Sequence, residues 1–192
     1  MARVGVDIDD VLMPWAETAH GLCEAAGITN GAGITRWEFW KDYGCEPEAV
    51  WEVLNDATVN GGLYDVPPYA EAWFGLERLK QEGHSVHLVT ARGFHGPHRE
   101  LIRRHTIDWL EGWAIPHNSL TFSMDKTVVG SDFFIDDSLR NYDDLDGAGV
   151  QVYLLNRSHN QVDEAPRLQT IWGPRRRVNG LHEFVDIVVR AA

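Results

Sequence analysis

The chain has 192 residues, and its 44% hydrophobic and 24% charged residues are typical of one globular domain that can bury a full core. Its formal net charge of −12 argues against an extended nucleic-acid surface, because such a charge repels a polyanion at long range. Two cysteines, no long apolar stretch at the start and no run of roughly 18 apolar residues predict a cytoplasmic protein with reduced thiols and no membrane partner.

Strands and helices alternate along most of the sequence. In chain order, the patterns predict a strand at 3–6, a helix at 14–27, short helices at about 35–42 and 47–57, a helix at 69–82, a strand at 85–90, a helix at 97–113, strands at 119–122 and 133–135, a helix at 139–146, a strand at 150–155 and a helix at about 181–189. Residues 156–179 are expected to be irregular. Strands separated by helices pair in parallel, so we predict a three-layer, Rossmann-like α/β sandwich.

Two aspartates one residue apart follow the first strand, in the run Asp7-Ile8-Asp9. A buried carboxylate costs several kcal/mol to desolvate unless it is paired or binds a metal. An acidic turn that closes a strand would explain the pattern equally well. The residues that follow the later strands therefore decide between a turn and a site.

Polar residues also follow two later strands. Thr90 ends the strand at 85–90, Asp136 and Asp137 follow the strand at 133–135, and Lys126 lies in a loop ten residues before Asp136. The carboxyl ends of parallel strands meet at one edge of the sheet, where such folds bind their ligands. We therefore expect these side chains to gather at that edge.

Taken in order, these motifs resemble the four motifs of the haloacid dehalogenase superfamily of phosphotransferases. The residues that carry the resemblance are Asp7-Ile8-Asp9-Asp10-Val11-Leu12, Val89-Thr90, Lys126 and Ile135-Asp136-Asp137. Residues 125–132, running into the last motif, are more specifically similar to the 5′(3′)-deoxyribonucleotidases. The sequence departs from that family at Ala91-Arg92, where its members more often have a small polar residue and a proline.

The resemblance implies a role for each residue at the strand ends. Asp7 would be the nucleophile and Asp9 the acid and then the base, while Thr90 and Lys126 would contact the phosphoryl group. Mg²⁺ prefers oxygen ligands, and the implied set is Asp7, the backbone carbonyl of Asp9 and Asp137, with Asp136 holding a metal-bound water. The reverse assignment of Asp136 and Asp137 stays open.

The resemblance also predicts a small helical cap at 14–68, inserted into a core formed by 1–13 and 69–192. The cap would close the pocket and select the substrate. Trp15 lies eight residues after Asp7, where the deoxyribonucleotidases have an aromatic residue that stacks on the base, although a purely structural role explains Trp15 equally well. The substrate-binding candidates are Trp15, Phe39, Trp40, Tyr43, Thr90, Ala91, Arg92 and Lys126.

Two basic features remain without an assigned role. Arg92 either contacts phosphate or pairs with an acid of a neighbouring loop. The run Arg175-Arg176-Arg177 is expected to be a solvated loop, and nothing in the sequence places it over the cleft.

The expected function is a Mg²⁺-dependent phosphatase acting on (deoxy)nucleoside monophosphates through an aspartyl-phosphate. One alternative is a polynucleotide 3′-end phosphatase, which the net charge and the lack of a kinase phosphate loop disfavour. Another is a non-catalytic protein of the same fold that binds a phosphorylated ligand, which the presence of both Asp7 and Asp9 disfavours. The oligomeric state, including a homodimer, is left open.

Overall fold

A computed structural model describes residues 1–94, 96–161 and 175–191 of the chain. Its strands are β1 (Arg3–Val6), β2 (Ser85–Thr90), β3 (Ser119–Phe122), β4 (Phe133–Asp136), β5 (Gln151–Leu155) and β6 (Arg177–Val178). Its α-helices are α1 (Trp15–Ala25), α2 (Trp40–Tyr43), α3 (Pro47–Val59), α4 (Ala72–Gln81), α5 (Arg99–Gly112), α6 (Leu139–Gly147) and α7 (Leu181–Ala191). Short 3₁₀ turns lie at Lys126–Val129 and Ser158–Asn160.

The six strands form one parallel sheet in the order β3-β2-β1-β4-β5-β6. Alternate side chains of each strand point to opposite faces of the sheet. On β4, for example, Phe133 and Ile135 belong to the large apolar cluster that includes residues of α4, α5 and α7, whereas Phe134 packs with residues of α6. The predicted three-layer α/β sandwich is confirmed.

A glycine allows the central strands to pack closely. A Cβ at Gly5 of β1 would lie 2.2 Å from the ring of Phe134 on the neighbouring β4. The missing side chain leaves room for that ring, which is fully buried. The ring of Phe134, on the strand that ends at Asp136, therefore fills the space beside Gly5.

Helices and turns follow β1 before the next strand begins. Among the described residues, α1, α2 and α3 all lie between β1 and α4. Their buried apolar residues, including Ala19, Cys23, Tyr43 and Leu54, belong to the same cluster as the strand residues of the sheet. The helical character predicted for 14–68 is therefore present. No helix in the described part of the chain is long and apolar enough to span a bilayer.

The structure corrects three boundaries. The helix expected at about 35–42 is only the single turn Trp40–Tyr43, which Gly44 ends with a left-handed backbone conformation. The helices expected to begin at residues 69 and 97 begin at Ala72 and Arg99. In all three places, a turn or extended segment occupies residues that an apolar pattern alone cannot distinguish from helix.

The segment expected to be irregular contains the sixth strand. Residues 162–174 of that segment lie outside the described residues, but Arg177–Val178 pairs with the end of β5. The arginine run is not a solvated loop: Arg175 pairs with Asp143 and Arg176 pairs with Asp146, both on α6. The expectation of a solvated loop was wrong because a sequence pattern does not show that carboxylates of α6 pair with these arginines.

Candidate active site

The predicted site residues meet at the carboxyl end of the sheet. Asp7 follows β1, Thr90 ends β2 and Asp136 ends β4. These strands are neighbours in the sheet, and the chain order changes direction between β1 and β4. Such a switch point leaves a crevice above the strand ends, because the two crossover connections leave it in opposite directions.

Lys126 lies between the carboxylates of the two central strands. Its Nζ is 2.6 Å from Oδ1 of Asp7, donates to the backbone oxygen of Val89 at 2.5 Å and lies 4.0 Å from Oδ2 of Asp136. The Lys126 side chain is almost fully buried. Burial alone would lower the pKa of Lys126, but the charges of Asp7 and Asp136 outweigh it and raise the pKa. The ammonium group therefore stays charged beside Asp7.

Asp9 is held by a second buried cation, Arg92. Nε of Arg92 donates to both carboxylate oxygens, at 3.0 Å to Oδ1 and 3.2 Å to Oδ2, and Nη2 donates to Oδ1 at 2.5 Å. The Arg92 side chain is 3% exposed, whereas that of Asp9 is 22% exposed. Of the two readings of Arg92 left open, the structure supports pairing with a loop acid.

Arg92 is also supported on its other sides by protein atoms. Nη1 lies 3.4 Å from the hydroxyl of Thr106 on α5, and the guanidinium lies over the ring of Tyr64, 5.1 Å from its centre. The backbone N–H of Arg92 donates to the hydroxyl of Thr90 at 3.2 Å. These contacts fix the direction from which Arg92 approaches Asp9.

Asp136 and Asp137 are buried at the end of β4. Asp136 accepts hydrogen bonds from the backbone of Ser138 and from the side chain of Asn141. Oδ2 of Asp137 lies 2.6 Å from Nε2 of His159. Carboxylate oxygens of Asp7, Asp136 and Asp137 lie within 4.8 Å of one another.

Asp10 adds a carboxylate that the sequence reasoning did not assign. Its backbone is in the left-handed region, with φ of 54°, and Oδ1 accepts from the N–H of Ala16 in the first turn of α1. Oδ2 is buried and has no hydrogen-bond partner. Burial and the nearby charge of Asp137 raise the pKa of Asp10 to about 7. The adjacent Asp9 was the only available indication in the sequence.

The cluster contains more carboxylates than cations can pair. Lys126 pairs with Asp7 and lies 4.0 Å from Asp136, and Arg92 pairs with Asp9. Arg157 donates to the backbone carbonyl of Asp10 at 2.6 Å, but among the described residues no lysine or arginine forms an ion pair with the carboxylate of Asp10 or Asp137. Burial raises the pKa of Asp7, Asp136 and Asp137, and Lys126 only partly offsets it. Repulsion raises it further, from the charge of Asp9 on Asp7 and from the charge of Asp7 on Asp136 and Asp137. The close oxygens of Asp7, Asp136 and Asp137 fit a divalent cation with oxygen ligands, because such a cation would offset this repulsion. Asp10, whose Oδ2 has no hydrogen-bond partner, lies in a second close group with Asp137 and His159.

An aromatic stack lies against the cluster. The rings of Trp15 and Trp37 are stacked, with centres 5.5 Å apart, and Trp37 meets the ring of His159 edge-on at 5.6 Å. Trp37 is 54% exposed. The stack thus connects Trp15 to Asp137 through Trp37 and His159, two residues that the sequence reasoning missed.

The remaining aromatic candidates belong to the apolar core or pack against it. Phe39 and Tyr43 are 2% and 1% exposed and belong to the apolar core, and the hydroxyl of Tyr43 bonds to His20. Trp40 is half-buried between Phe39 and Trp51. Of these three rings, Phe39 reaches the aromatic stack, where it meets the ring of Trp15 edge-on at 6.2 Å. Ala91 is exposed beside Thr90, whose side chain is fully buried.

The sheet, with the cluster at its carboxyl end, defines a class of fold that solved proteins of the haloacid dehalogenase superfamily share. A solved hydrolase of that superfamily from Geobacter sulfurreducens has the same fold, with a TM-score of 0.56, 14% identity and coverage of 97% of this chain and 99% of the other. A heptose 1,7-bisphosphate phosphatase of B. bronchiseptica, solved with magnesium and phosphate, matches with a TM-score of 0.53 and 13% identity over the whole of both chains.

The chain belongs to a family within that class. The model of the 5′ nucleotidase, deoxy (pyrimidine), cytosolic type C protein family matches residues 2–173. A curated protein of Chlorobaculum tepidum, provisionally named a 5′(3′)-deoxyribonucleotidase, is 34% identical over 93 residues, which are 48% of this chain and 46% of that protein. The match thus spans about half the length of the curated relative. These findings confirm the family resemblance of the motifs.

Proposed function

We propose that this protein is a Mg²⁺-dependent phosphatase that hydrolyses (deoxy)nucleoside monophosphates through an aspartyl-phosphate. The observation that carries the proposal is the buried Asp7–Lys126 pair beside Asp136 and Asp137, at the carboxyl ends of the central strands. The family of the chain supports the substrate class, since its description is that of a 5′-nucleotidase.

In the first step, a carboxylate oxygen of Asp7 attacks the phosphorus atom and the bond from phosphorus to the sugar oxygen breaks. Asp9 gives its proton to that leaving oxygen. The Lys126 ammonium offsets the charge on Asp7 and on the phosphoryl group.

In the second step, a water molecule attacks the phosphorus atom of the aspartyl-phosphate and the bond to Asp7 breaks. Asp9, now ionised, accepts the proton of the water, so inorganic phosphate leaves and both aspartates return to their starting states. The partial exposure of the Asp9 side chain supports this assignment, because a group that exchanges protons with substrate and water needs access to them.

The residues proposed to hold Mg²⁺ are Asp7, the backbone carbonyl of Asp9 and Asp137, with Asp136 beside them. When bound, the ion would offset the charge of the phosphoryl oxygens. The magnesium in the solved heptose bisphosphatase is consistent with this cofactor.

We propose that residues 14–68 form a cap over this core of 1–13 and 69–192. Within the cap, the stacked rings of Trp15 and Trp37 offer a flat apolar surface beside the cluster. A nucleobase is flat and aromatic, so it can stack on such a surface. The substrate proposed is therefore a mononucleotide rather than a small sugar phosphate.

A substrate panel tests the proposal directly. Phosphate release is measured from nucleoside 5′- and 3′-monophosphates, sugar phosphates and 3′-phosphorylated oligonucleotides, each with Mg²⁺ and with a chelator. We expect release from the mononucleotides only with Mg²⁺. Faster release from the oligonucleotides would identify a polynucleotide end phosphatase, and no release from any substrate would indicate a binding protein.

The variant Asp7→Asn tests the nucleophile. The amide keeps the shape of the side chain but cannot form the acyl-phosphate, so we expect turnover to fall at least about 10⁴-fold. Circular dichroism should match that of the unmodified protein. Normal phosphate release by a folded Asp7→Asn protein would refute the assigned mechanism.

A further inference from the structure

His159 is a buried side chain beside the carboxylate cluster that the proposed chemistry does not use. Its Nε2 lies 2.6 Å from Oδ2 of Asp137, and the side chains of His159 and Asp137 are 4% and 5% exposed. A carboxylate that binds a cation is ionised and only accepts hydrogen bonds, so in the metal-bound state Nε2 would be the donor of this bond. His159 therefore fixes one oxygen of a proposed metal ligand.

The turn that carries His159 also holds the backbone of Asp137. Nδ2 of Asn160 donates to the carbonyl oxygens of Asp137 and Leu155, both at 2.7 Å. Arg177 of β6 in turn donates to the carbonyl oxygen of Asn160 at 2.8 Å. Two consecutive residues of one short turn thus hold the side chain and the backbone of Asp137, and a strand of the sheet supports that turn.

The His159 ring also contacts the aromatic stack. Trp37 meets it edge-on, and Trp37 itself stacks on Trp15 at the start of α1. The ring of His159 is therefore held both by packing against Trp37 and by its bond to Asp137. A side chain whose rotation is restricted in this way can hold a ligand oxygen in one position.

We propose that His159 is a positioning residue for the divalent cation and acts by orienting the carboxylate of Asp137. With Oδ2 bound to His159, the other oxygen of Asp137 remains for the cation. The inference rests on the proposed metal site and identifies a residue on which the affinity of that site depends. Loss of such an outer hydrogen bond typically weakens metal binding 10- to 100-fold.

Direct ligation by His159 is the competing arrangement. Ligand atoms of His159, Asp10 and Asp137 do lie within 4.8 Å of one another. One observation and one chemical preference favour an indirect role for His159. Its Nε2 is already bonded to Asp137, and Mg²⁺ prefers oxygen ligands to nitrogen ligands. The two arrangements predict different spectra for a bound paramagnetic ion.

Calorimetric titration of the full-length protein with Mg²⁺ and with Mn²⁺ tests the proposal. His159→Phe keeps a ring against Trp37 but has no donor, so we expect its affinity for both ions to fall 10- to 100-fold. His159→Gln keeps an N–H donor and should stay within about three-fold of the unmodified protein. His87→Phe is the matched control, because His87 is a half-buried histidine that bonds to Ser85 and Ser119 near the opposite edge of the sheet.

Pulsed electron paramagnetic resonance of the Mn²⁺-loaded unmodified protein supplies a test that needs no variant. Positioning predicts no ¹⁴N coupling from a directly bound imidazole, and such a coupling would overturn the inference. Unchanged metal affinity in folded His159→Phe would overturn it as well. If the unmodified protein binds neither Mg²⁺ nor Mn²⁺, the proposed metal dependence itself fails, so the two failures are distinguishable.

Discussion

At the scale of single residues, the pairing of Arg92 with Asp9 makes a prediction about catalysis. The guanidinium contacts protein atoms through Nε, Nη1 and Nη2, and its side chain is 3% exposed. A residue enclosed in this way orients Asp9 rather than binding the substrate. Lysine keeps the charge but cannot hold a carboxylate with two nitrogens.

We therefore expect Arg92→Lys to lower kcat about 100-fold, because a small misplacement of an acid–base group has an effect of that size. KM for a nucleoside monophosphate should change by less than about three-fold, since the substitution removes no contact with the bound substrate. Steady-state kinetics measure both, with exposed Arg104 changed to lysine as the control. A raised KM with an unchanged kcat would show that Arg92 binds the phosphate instead.

At the scale of elements, Glu71 caps a helix that is distant in sequence. Its carboxylate accepts from the backbone N–H groups of Leu181 and His182 at the start of α7, and from Nδ1 of His182. Burial would raise the pKa of Glu71, but the hydrogen bonds from His182 and the backbone outweigh it and lower the pKa. The bond to Glu71 raises the pKa of His182, and Asp186 and Glu183 add to this effect.

Glu71→Gln should destabilise the protein by about 1 kcal/mol, the usual value of a helix cap. Ionised Glu71 adds to the free energy of unfolding above its ordinary pKa of 4.5. This stabilisation is lost as the pH falls through the lowered pKa of Glu71 in the folded protein. Protonated His182 stabilises the folded protein below its ordinary pKa of 6.5. This stabilisation is lost as the pH rises through the raised pKa of His182 in the folded protein. Urea unfolding across this range should show the largest difference between pH 4.5 and 6.5, and a difference independent of pH would contradict the ion pair.

At the scale of the whole molecule, the repulsion within the cluster links stability to the proposed cation. A ligand that binds only the folded state stabilises it by about 2.7 kcal/mol at 100 times its Kd. For a chain of this size, that corresponds to a rise in Tm of about 5–10 °C. Thermal unfolding with Mg²⁺ and with a chelator measures the shift. An equal rise in Asp137→Asn would show that the stabilisation does not come from this site.

Most of the fold follows from local patterns. The strands at 85–90 and 119–122 were predicted at their exact bounds, because short apolar runs between turn residues have few alternatives. The helix start at Ala72 and the strand Arg177–Val178 were not predicted. The strand has two residues, one of them an arginine, and exists only because β5 offers it a hydrogen-bonding edge.

The sequence by itself determined the fold class and the order of the strand-end motifs, since both depend on residues that are close together in the chain. Only the tertiary structure decided which of these groups touch. Arg92 and Asp9 are 83 residues apart, and His159 lies 22 residues after Asp137. Contacts over such separations depend on how the chain packs, and periodicity carries no information about them. For the same reason, the sequence placed Phe39 and Tyr43 among the substrate-binding candidates, and the structure places both in the core.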